Sequence, residues 1–431
     1  MVTTPWGDTE ELRSRRLSPG PGIAAEEVRR NQRERLFAAM VASTADKGYR
    51  ETTVADLLRI SGISRSTFYA QFKDKEDCFQ AAIERLLDDA LTMITNRYEL
   101  DVSGEEKARI ALEAFVWLAS VQPAAARMCL VESYAAGNAG LEPLRRAGDE
   151  LSRLAGLAFD QMPGREEMPA DLTRAIGGGF HRVLYRRLLQ RREQELPALA
   201  EPLWEWALSY PTPPRPLRLR GRRPAPAHGG GAFASGDAEQ RIVRAFAAVV
   251  AEKGYAAASI ADIAAAASIS QSTFYGYFEN KEEALAAALD SSGAHLAAAT
   301  IPAVRRAKDW PGAVRIAYGA TCGFLAAEPD FARLRALEVY AVGPEAIEQR
   351  DEAATEIMEA LMSRVNPAGP VDPLVAEATQ GAIHSVIEAQ VRKRGPETLP
   401  EVAPLLTYVT LAPFLGAEEA CEVANGDGRR R

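Results

Sequence analysis

Ile63-Ser64-Arg65-Ser66-Thr67-Phe68-Tyr69-Ala70-Gln71-Phe72-Lys73-Asp74-Lys75 returns later in the chain as Ile269-Ser270-Gln271-Ser272-Thr273-Phe274-Tyr275-Gly276-Tyr277-Phe278-Glu279-Asn280-Lys281. The same offset of 206 pairs Lys47-Gly48-Tyr49 with Lys253-Gly254-Tyr255 and Ala55-Asp56 with Ala261-Asp262, and 14 of the 30 positions from 47 to 76 are identical. Two unrelated amphipathic helices do not agree to that extent, so the stretch is an internal duplication.

Upstream of each copy, apolar residues recur at helical spacing: Leu36, Ala39, Met40 and Ser43, then Ile242, Ala245, Phe246, Val249 and Val250. Gly48 and Gly254 stand where that helix stops, because glycine takes a left-handed C-cap at little cost. A short helix is predicted next, Val54 to Ile60 or Ile260 to Ala266, followed by a tight turn at Ser61-Gly62 and a capping serine, Ser64 or Ser270. Phe68 and Phe72, like Phe274 and Phe278, are four apart and share one face, which points them into a small core. Arg65, Ser66, Thr67 and Tyr69 are left on the other faces without a buried role. Two short helices joined by a tight turn, the second with polar donors at its N-terminus, form a helix-turn-helix whose second helix enters the major groove.

As a set, Lys-Gly-Tyr, Thr-Val-Ala-Asp, Gly-Ile-Ser, Ser-Thr-Phe-Tyr and Phe-x-x-Lys-Glu resemble the tetracycline-repressor (TetR) family of bacterial transcription regulators, over roughly residues 31–82 and 237–288. The resemblance implies contacts with double-stranded DNA from Thr53, Ser64, Arg65, Ser66, Thr67, Tyr69 and Lys75 in the first copy. In the second it implies Ser259, Ser270, Gln271, Ser272, Thr273, Tyr275 and Lys281. It also implies that the rest of each module is an all-helical effector-binding and dimerisation domain. The chain departs from the family pattern by carrying two modules, and by having Ser268 where the first copy has Gly62.

Working outward, 431 residues suit roughly two to four domains. A net charge of −8 argues against a nucleic-acid partner, yet residues 26–75 hold ten Arg/Lys against seven Asp/Glu, and local patches steer DNA. Residues 237–281 carry four against five. Cys78, Cys129, Cys322 and Cys421 are far apart without a C-x-x-C, so neither a zinc site nor a disulfide frame is indicated and a reduced, bacterial cytoplasm is expected. Asp8, Glu10 and Glu11 come too early for a signal peptide. The run Val402–Leu415 is too short and proline-interrupted to span a membrane.

The expected organisation is a disordered basic arm at 1–25, containing Arg13, Arg15 and Arg16, then a helix-turn-helix domain at 26–82 and a helical effector and dimerisation domain at 83–210. A Pro/Arg/Gly-rich linker follows at 211–236. The plan repeats with a helix-turn-helix at 237–288, an effector domain at 289–416 and a disordered tail at 417–431. At ~3.1 Å per residue, about 25 linker residues reach up to roughly 75 Å. Linker residues Arg215, Arg218, Arg220, Arg222 and Arg223 either solubilise or touch phosphate, and so do Arg29, Arg30, Arg33 and Arg35 on the first helix.

The duplication extends beyond the DNA-reading part. Pro123-x-x-Ala126-Arg127 recurs as Pro329-x-x-Ala332-Arg333, Glu132-x-Tyr134 as Glu338-x-Tyr340, and after a three-residue gap His181 pairs with His384. Gly177-Gly178-Gly179 follows no strand and precedes no Lys-Ser/Thr, so it reads as a close helix contact, not a phosphate loop. No Glu-x-x-His or second histidine accompanies His181 or His384, so core or interface roles outweigh metal ligation. Trp117, Tyr134, Phe180, His181, Tyr185, Tyr318, Phe324, Tyr340 and His384 are candidates to line a pocket for a small apolar or aromatic effector, with plain core as the alternative for each. No cofactor, metal or catalytic constellation is indicated. The expectation is an all-α, ligand-responsive repressor whose monomeric chain packs its own modules as a pseudo-dimer, through Asp171–Tyr210 and Asp372–Phe414, on a non-palindromic operator. The alternative is that only the first module binds DNA, the second being a degenerate dimerisation or sensing partner.

Overall fold

The computed structural model describes residues 2–12, 14–17, 24–98, 101–219, 237–343, 346–351, 354, 357 and 372–427. Helices dominate, as the patterning predicts. The first module contains α1 (Ala25–Glu51), α2 (Val54–Ser61), α3 (Arg65–Tyr69), α4 (Lys75–Tyr98), α5 (Gly104–Val121) and α6 (Pro123–Arg127). A π-helical turn at Met128–Glu132 leads to α7 (Ser133–Ala135), α8 (Asn138–Phe159), α9 (Ala170–Leu189) and α10 (Leu196–Leu208). The second module repeats the series as α11 (Ala238–Lys253), α12 (Ile260–Ala266), α13 (Gln271–Tyr275), α14 (Lys281–Arg305), α15 (Trp310–Ala327) and α16 (Pro329–Ala336). Residues 346–351 are helical, and α17 (Pro373–Arg394) and α18 (Ala403–Asn425) close the chain.

The chain divides into two compact units, Met1–Pro163 with Phe180–Trp204, and Gly164–Gly179 with Glu205–Arg431. In the first unit α1 buries Leu36, Phe37, Ala39 and Met40 against α2, α4 and α6, while α4 runs on to pack against α5 and α8. The described part of the expected disordered arm is folded instead. Thr3–Thr4 and Gly7–Asp8 form a short antiparallel hairpin, Trp6 lies 5.4 Å from Phe37, and Leu12 is buried. The amide of Asn31 holds the main chain of Arg15 and Leu17, and Arg15 pairs with Glu11 at 3.1 Å. The reason is apolar burial: Trp6 and Leu12 anchor a segment whose arginines suggested a solvated arm. Arg13 lies outside the described residues.

In the second unit, the first half of α9 and the chain from 205 to 218 lie against α17 and α18. Tyr210 donates its hydroxyl to the Val409 carbonyl at 3.0 Å, and Tyr408 donates to the Pro211 carbonyl at 2.7 Å. A Cβ at Gly178 would collide with Ser385, and one at Gly179 with Trp206, so small residues here do permit close helix approach. The tail expected beyond 416 is helical as far as Asn425 after a break at Gly416 (φ 75°), with Cys421 and Ala424 buried. The Asn425 amide accepts from the Arg218 N–H at 2.8 Å and donates to the Pro216 carbonyl at 3.2 Å, and Asp427 pairs with Arg215 at 3.1 Å. The start of the linker is therefore held, and Arg215 has a carboxylate partner. Arg220, Arg222 and Arg223 lie outside the described residues. The stretch Pro396–Asn425 has the length and apolarity of a membrane span, but 72% of its apolar 18-residue window is buried inside the protein.

Candidate nucleic-acid interface

Each helix-turn-helix is assembled from local devices. α1 breaks at Gly48 (φ 78°), and α11 ends at Gly254 (φ 80°), angles open to glycine. Thr53 and Asp56 form a capping box at the start of α2, as Ser259 and Asp262 do for α12. Hydrogen bonds from Lys47 (2.7 Å) and Thr53 hold the Asp56 carboxyl well below the usual carboxylate range; Lys253 (2.6 Å) and Ser259 hold Asp262 down to about 2. The hydroxyls of Thr53 and Ser259 are thus already engaged in capping. Gly62 is left-handed (φ 66°, ψ 23°), and Ser268 is driven to φ 56° at the same place. The second turn keeps its geometry at a steric cost that glycine avoids.

Within α3, Ser64 Oγ accepts the Thr67 N–H at 3.1 Å and lies 2.8 Å from Thr67 Oγ1 and 3.0 Å from Ser66 Oγ. In α13, Ser270 repeats this with Thr273 N (3.0 Å), Thr273 Oγ1 (2.8 Å) and Ser272 Oγ (2.7 Å). Phe68 and Phe274 are fully buried beneath, so the helices present Arg65, Ser66 and Tyr69, and Gln271, Ser272 and Tyr275, outward. Tyr69 is 50% exposed and Tyr275 54%. An exposed aromatic hydroxyl at the end of each helix, with the serine hydroxyl of its first turn, is chemistry suited to phosphate oxygens and base edges.

Two expectations about side chains are corrected. The resemblance implies a DNA contact for Lys75, yet its ammonium donates to the carbonyls of Tyr49 (2.9 Å) and Arg50 (3.3 Å) and sits 4.2 Å from the Tyr49 ring centre. Lys281 repeats this on Tyr255 (2.7 Å), Ala258 (3.1 Å) and the Tyr255 ring (4.2 Å). Burial, which disfavours the charged ammonium, lowers the Lys75 pKa. On α1, Arg35 is buried and donates to the Ser61 carbonyl, which steadies the turn, and Arg33 lies 4.7 Å from the Phe72 ring. Gln71 turns back to Gln32 at 2.9 Å, whereas its counterpart Tyr277 is exposed.

The helix-turn-helix domains are tied to their helical bodies at one repeated point. Glu132 Oε2 accepts the Tyr49 N–H at 2.8 Å, and Glu338 Oε2 accepts the Tyr255 N–H at 2.8 Å. Both glutamates open the recurring Glu-x-Tyr, a signal visible in the sequence whose role the sequence reading missed. The tyrosine two residues on belongs to the candidate effector cluster. Tyr134 Oη is 3.3 Å from His181 Nε2, and Tyr185 packs edge-on to Tyr134 (5.7 Å) and parallel to His181 (6.2 Å). Burial, aided by Arg182, lowers the His181 pKa to about 4, so its ring is neutral at neutral pH. Phe180 is half-buried beside it in sequence. Trp117 is 54% exposed and does not line an enclosed pocket: it falls on the solvent face of α5. Tyr318 is buried with its hydroxyl 2.7 Å from Thr410 Oγ1, and Phe324 is core. Tyr340 and His384 are joined through Arg350, a residue that no motif pointed to.

Comparison with protein families matches the profile of bacterial regulatory proteins of the tetR family at residues 36–82 and 242–288. Among solved structures, the chain is similar to the transcriptional regulator FadR of Bacillus subtilis in complex with stearoyl-CoA, at 16% identity, covering 41% of this chain and 97% of that one with a TM-score of 0.38. The fatty acid degradation regulator FadR of Bacillus halodurans gives 18%, 44%, 97% and 0.39 in the same order. The TetR family regulator PfmR of Thermus thermophilus gives 26%, 42%, 97% and 0.34. A search of curated protein sequences finds no match.

Proposed function

This chain carries two TetR-family DNA-binding domains in tandem, and from that premise we propose that it is a non-catalytic, ligand-responsive repressor in which one chain supplies both halves of the DNA-binding unit. The observation that carries this reading is the repetition of Ser66, Thr67 and Tyr69 of α3 as Ser272, Thr273 and Tyr275 of α13, on the same buried phenylalanine and the same serine cap. The reciprocal bonds Tyr210 to Val409 and Tyr408 to Pro211 support pairing of the modules within one chain. Arg65 faces outward where the second copy has Gln271; arginine suits guanine and glutamine suits adenine, which favours an operator with unlike halves.

An effector at the Tyr134–His181–Tyr185 cluster would act through Glu132, two residues away, on the end of α1. A ligand that prefers one arrangement of that cluster shifts the population of DNA-competent states. The reading in which only the first module binds DNA is favoured by charge: residues 237–281 carry four Arg/Lys and five Asp/Glu, and Glu279 replaces Lys73. An electrophoretic shift assay on DNA selected from a random pool, using Tyr69→Ala and Tyr275→Ala, separates the two. Loss of affinity in both variants supports two reading domains; loss in Tyr69→Ala alone supports one.

A further inference from the structure

We infer that the effector cluster of the second module is occupied by an internal ligand, the guanidinium of Arg350, which closes that cluster to an external effector. This rests on the regulator reading above and adds that the second module's cluster does not respond. The two clusters descend from one sequence, with Tyr134 matching Tyr340 and His181 matching His384. In the first module the tyrosine hydroxyl meets the imidazole directly, at 3.3 Å. In the second, Arg350 Nη1 donates to Tyr340 Oη at 3.1 Å and Nη2 lies 3.3 Å from His384 Nδ1. The guanidinium carbon also sits 5.2 Å from the centre of the Tyr340 ring, the geometry of a bound cation.

The guanidinium is built in rather than casual. Arg350 and Asp351 are both buried; Asp351 Oδ1 takes Arg350 Nε at 2.8 Å and Nη2 at 2.7 Å, which neutralises the charge. His384 Nε2 lies 3.8 Å from the same oxygen. Arg335, also buried, fixes the backbone behind by donating to the Arg350 carbonyl at 2.7 Å. A planar donor held between a tyrosine and a histidine is what a small ligand would provide, and here the chain provides it. Because Tyr340 is two residues from Glu338, which accepts the Tyr255 N–H at 2.8 Å, the plug holds the second DNA-reading domain in one fixed relation to its own helical body.

The test is chemical rescue. Arg350→Ala empties the site, and millimolar methylguanidinium is the probe. Two readouts are followed: amide exchange of residues 255–281, and affinity for DNA selected by the wild-type chain. The expected result is that Arg350→Ala exchanges these amides about fivefold faster or more and that methylguanidinium restores them, while wild type ignores the compound. Operator affinity should fall and recover in parallel. If exchange recovers but affinity never moved, the plug stands and the claim that the second module reads DNA fails. Methylguanidinium that raises the melting temperature of the variant without altering exchange at 255–281 would overturn the inference, since Arg350 would then only stabilise. So would the absence of any effect. Should Arg350→Ala not fold, Arg350→Gln with Asp351→Asn removes both charges together and is put through the same rescue.

Discussion

Removing the carboxylate of Glu132 should unfasten the first DNA-reading domain from its helical body. Glu132 Oε2 accepts the Tyr49 N–H at 2.8 Å, just past the break at Gly48, and a Cβ on Gly48 would come within 3.3 Å of that oxygen. The contact is therefore close, partly buried and dependent on glycine. Glu132→Ala leaves the amide without its acceptor, a loss of about 1–3 kcal/mol. Glu132→Gln keeps an oxygen in place but without charge; neutral bonds are roughly half as strong, so a loss of about 1 kcal/mol is expected. Since each 1.4 kcal/mol is about tenfold, exchange of the Tyr49 amide should quicken about tenfold in the alanine variant and less in the glutamine variant. The same energy bounds the coupling to operator binding, about 5- to 150-fold. Glu338→Ala should do the same at Tyr255, and the two effects should add because the carboxylates share no hydrogen-bond partner in the two links. The assay is amide exchange of the folded chain together with operator titration. Unchanged Tyr49 exchange and unchanged affinity in a stably folded Glu132→Ala chain would refute the link.

Three further outcomes are expected. Arg65→Ala should cost about 1–3 kcal/mol of discrimination between matched and scrambled DNA in one half-site, measured by competition binding; equal loss on both DNAs would make Arg65 a phosphate ligand. Ser268→Gly should raise the melting temperature, because glycine removes about 1 kcal/mol of left-handed strain at φ 56°, whereas Gly62→Ser should lower it by a similar amount. The His181 pKa, lowered to about 4 by burial, lies below the unfolded value of about 6.5, so the unfolded chain takes up the proton first. The stabilisation by neutral His181 should be complete above about pH 6.5 and lost as pH falls toward 4. Acid titration of His181→Gln should show a shallower decline through that window.

Much of the DNA-reading part is legible in the sequence because its determinants are local. Gly62, the Ser64 and Ser270 caps, and the Phe68–Phe72 spacing each act within a few residues of themselves, so pattern and chemistry agree. The destinations of long side chains are not local. Lys75 reads as a DNA contact until α1 brings the Tyr49 carbonyl and ring to it, and nothing near Gln71 in sequence announces its bond to Gln32. The terminal segments were misjudged for a related reason. Arginine, proline and glycine content suggested disorder at 1–25, but Trp6 and Leu12 find Phe37 and the core. At the other end, Asn425 satisfies the linker backbone at Pro216 and Arg218, a pairing more than 200 residues apart in sequence. Arg350 was invisible because no motif announces a buried ion pair; only the comparison of two folded copies exposes it.

The central claim is that one chain reads two unlike half-sites. Selection of DNA from a random pool by the wild-type chain tests it most directly. The expected result is a bipartite site without inverted symmetry, with guanine favoured under the Arg65 half and adenine under the Gln271 half, and half-site centres about 34–36 Å apart or a near multiple. Recovery of a symmetric inverted repeat, or of a single half-site, would contradict it.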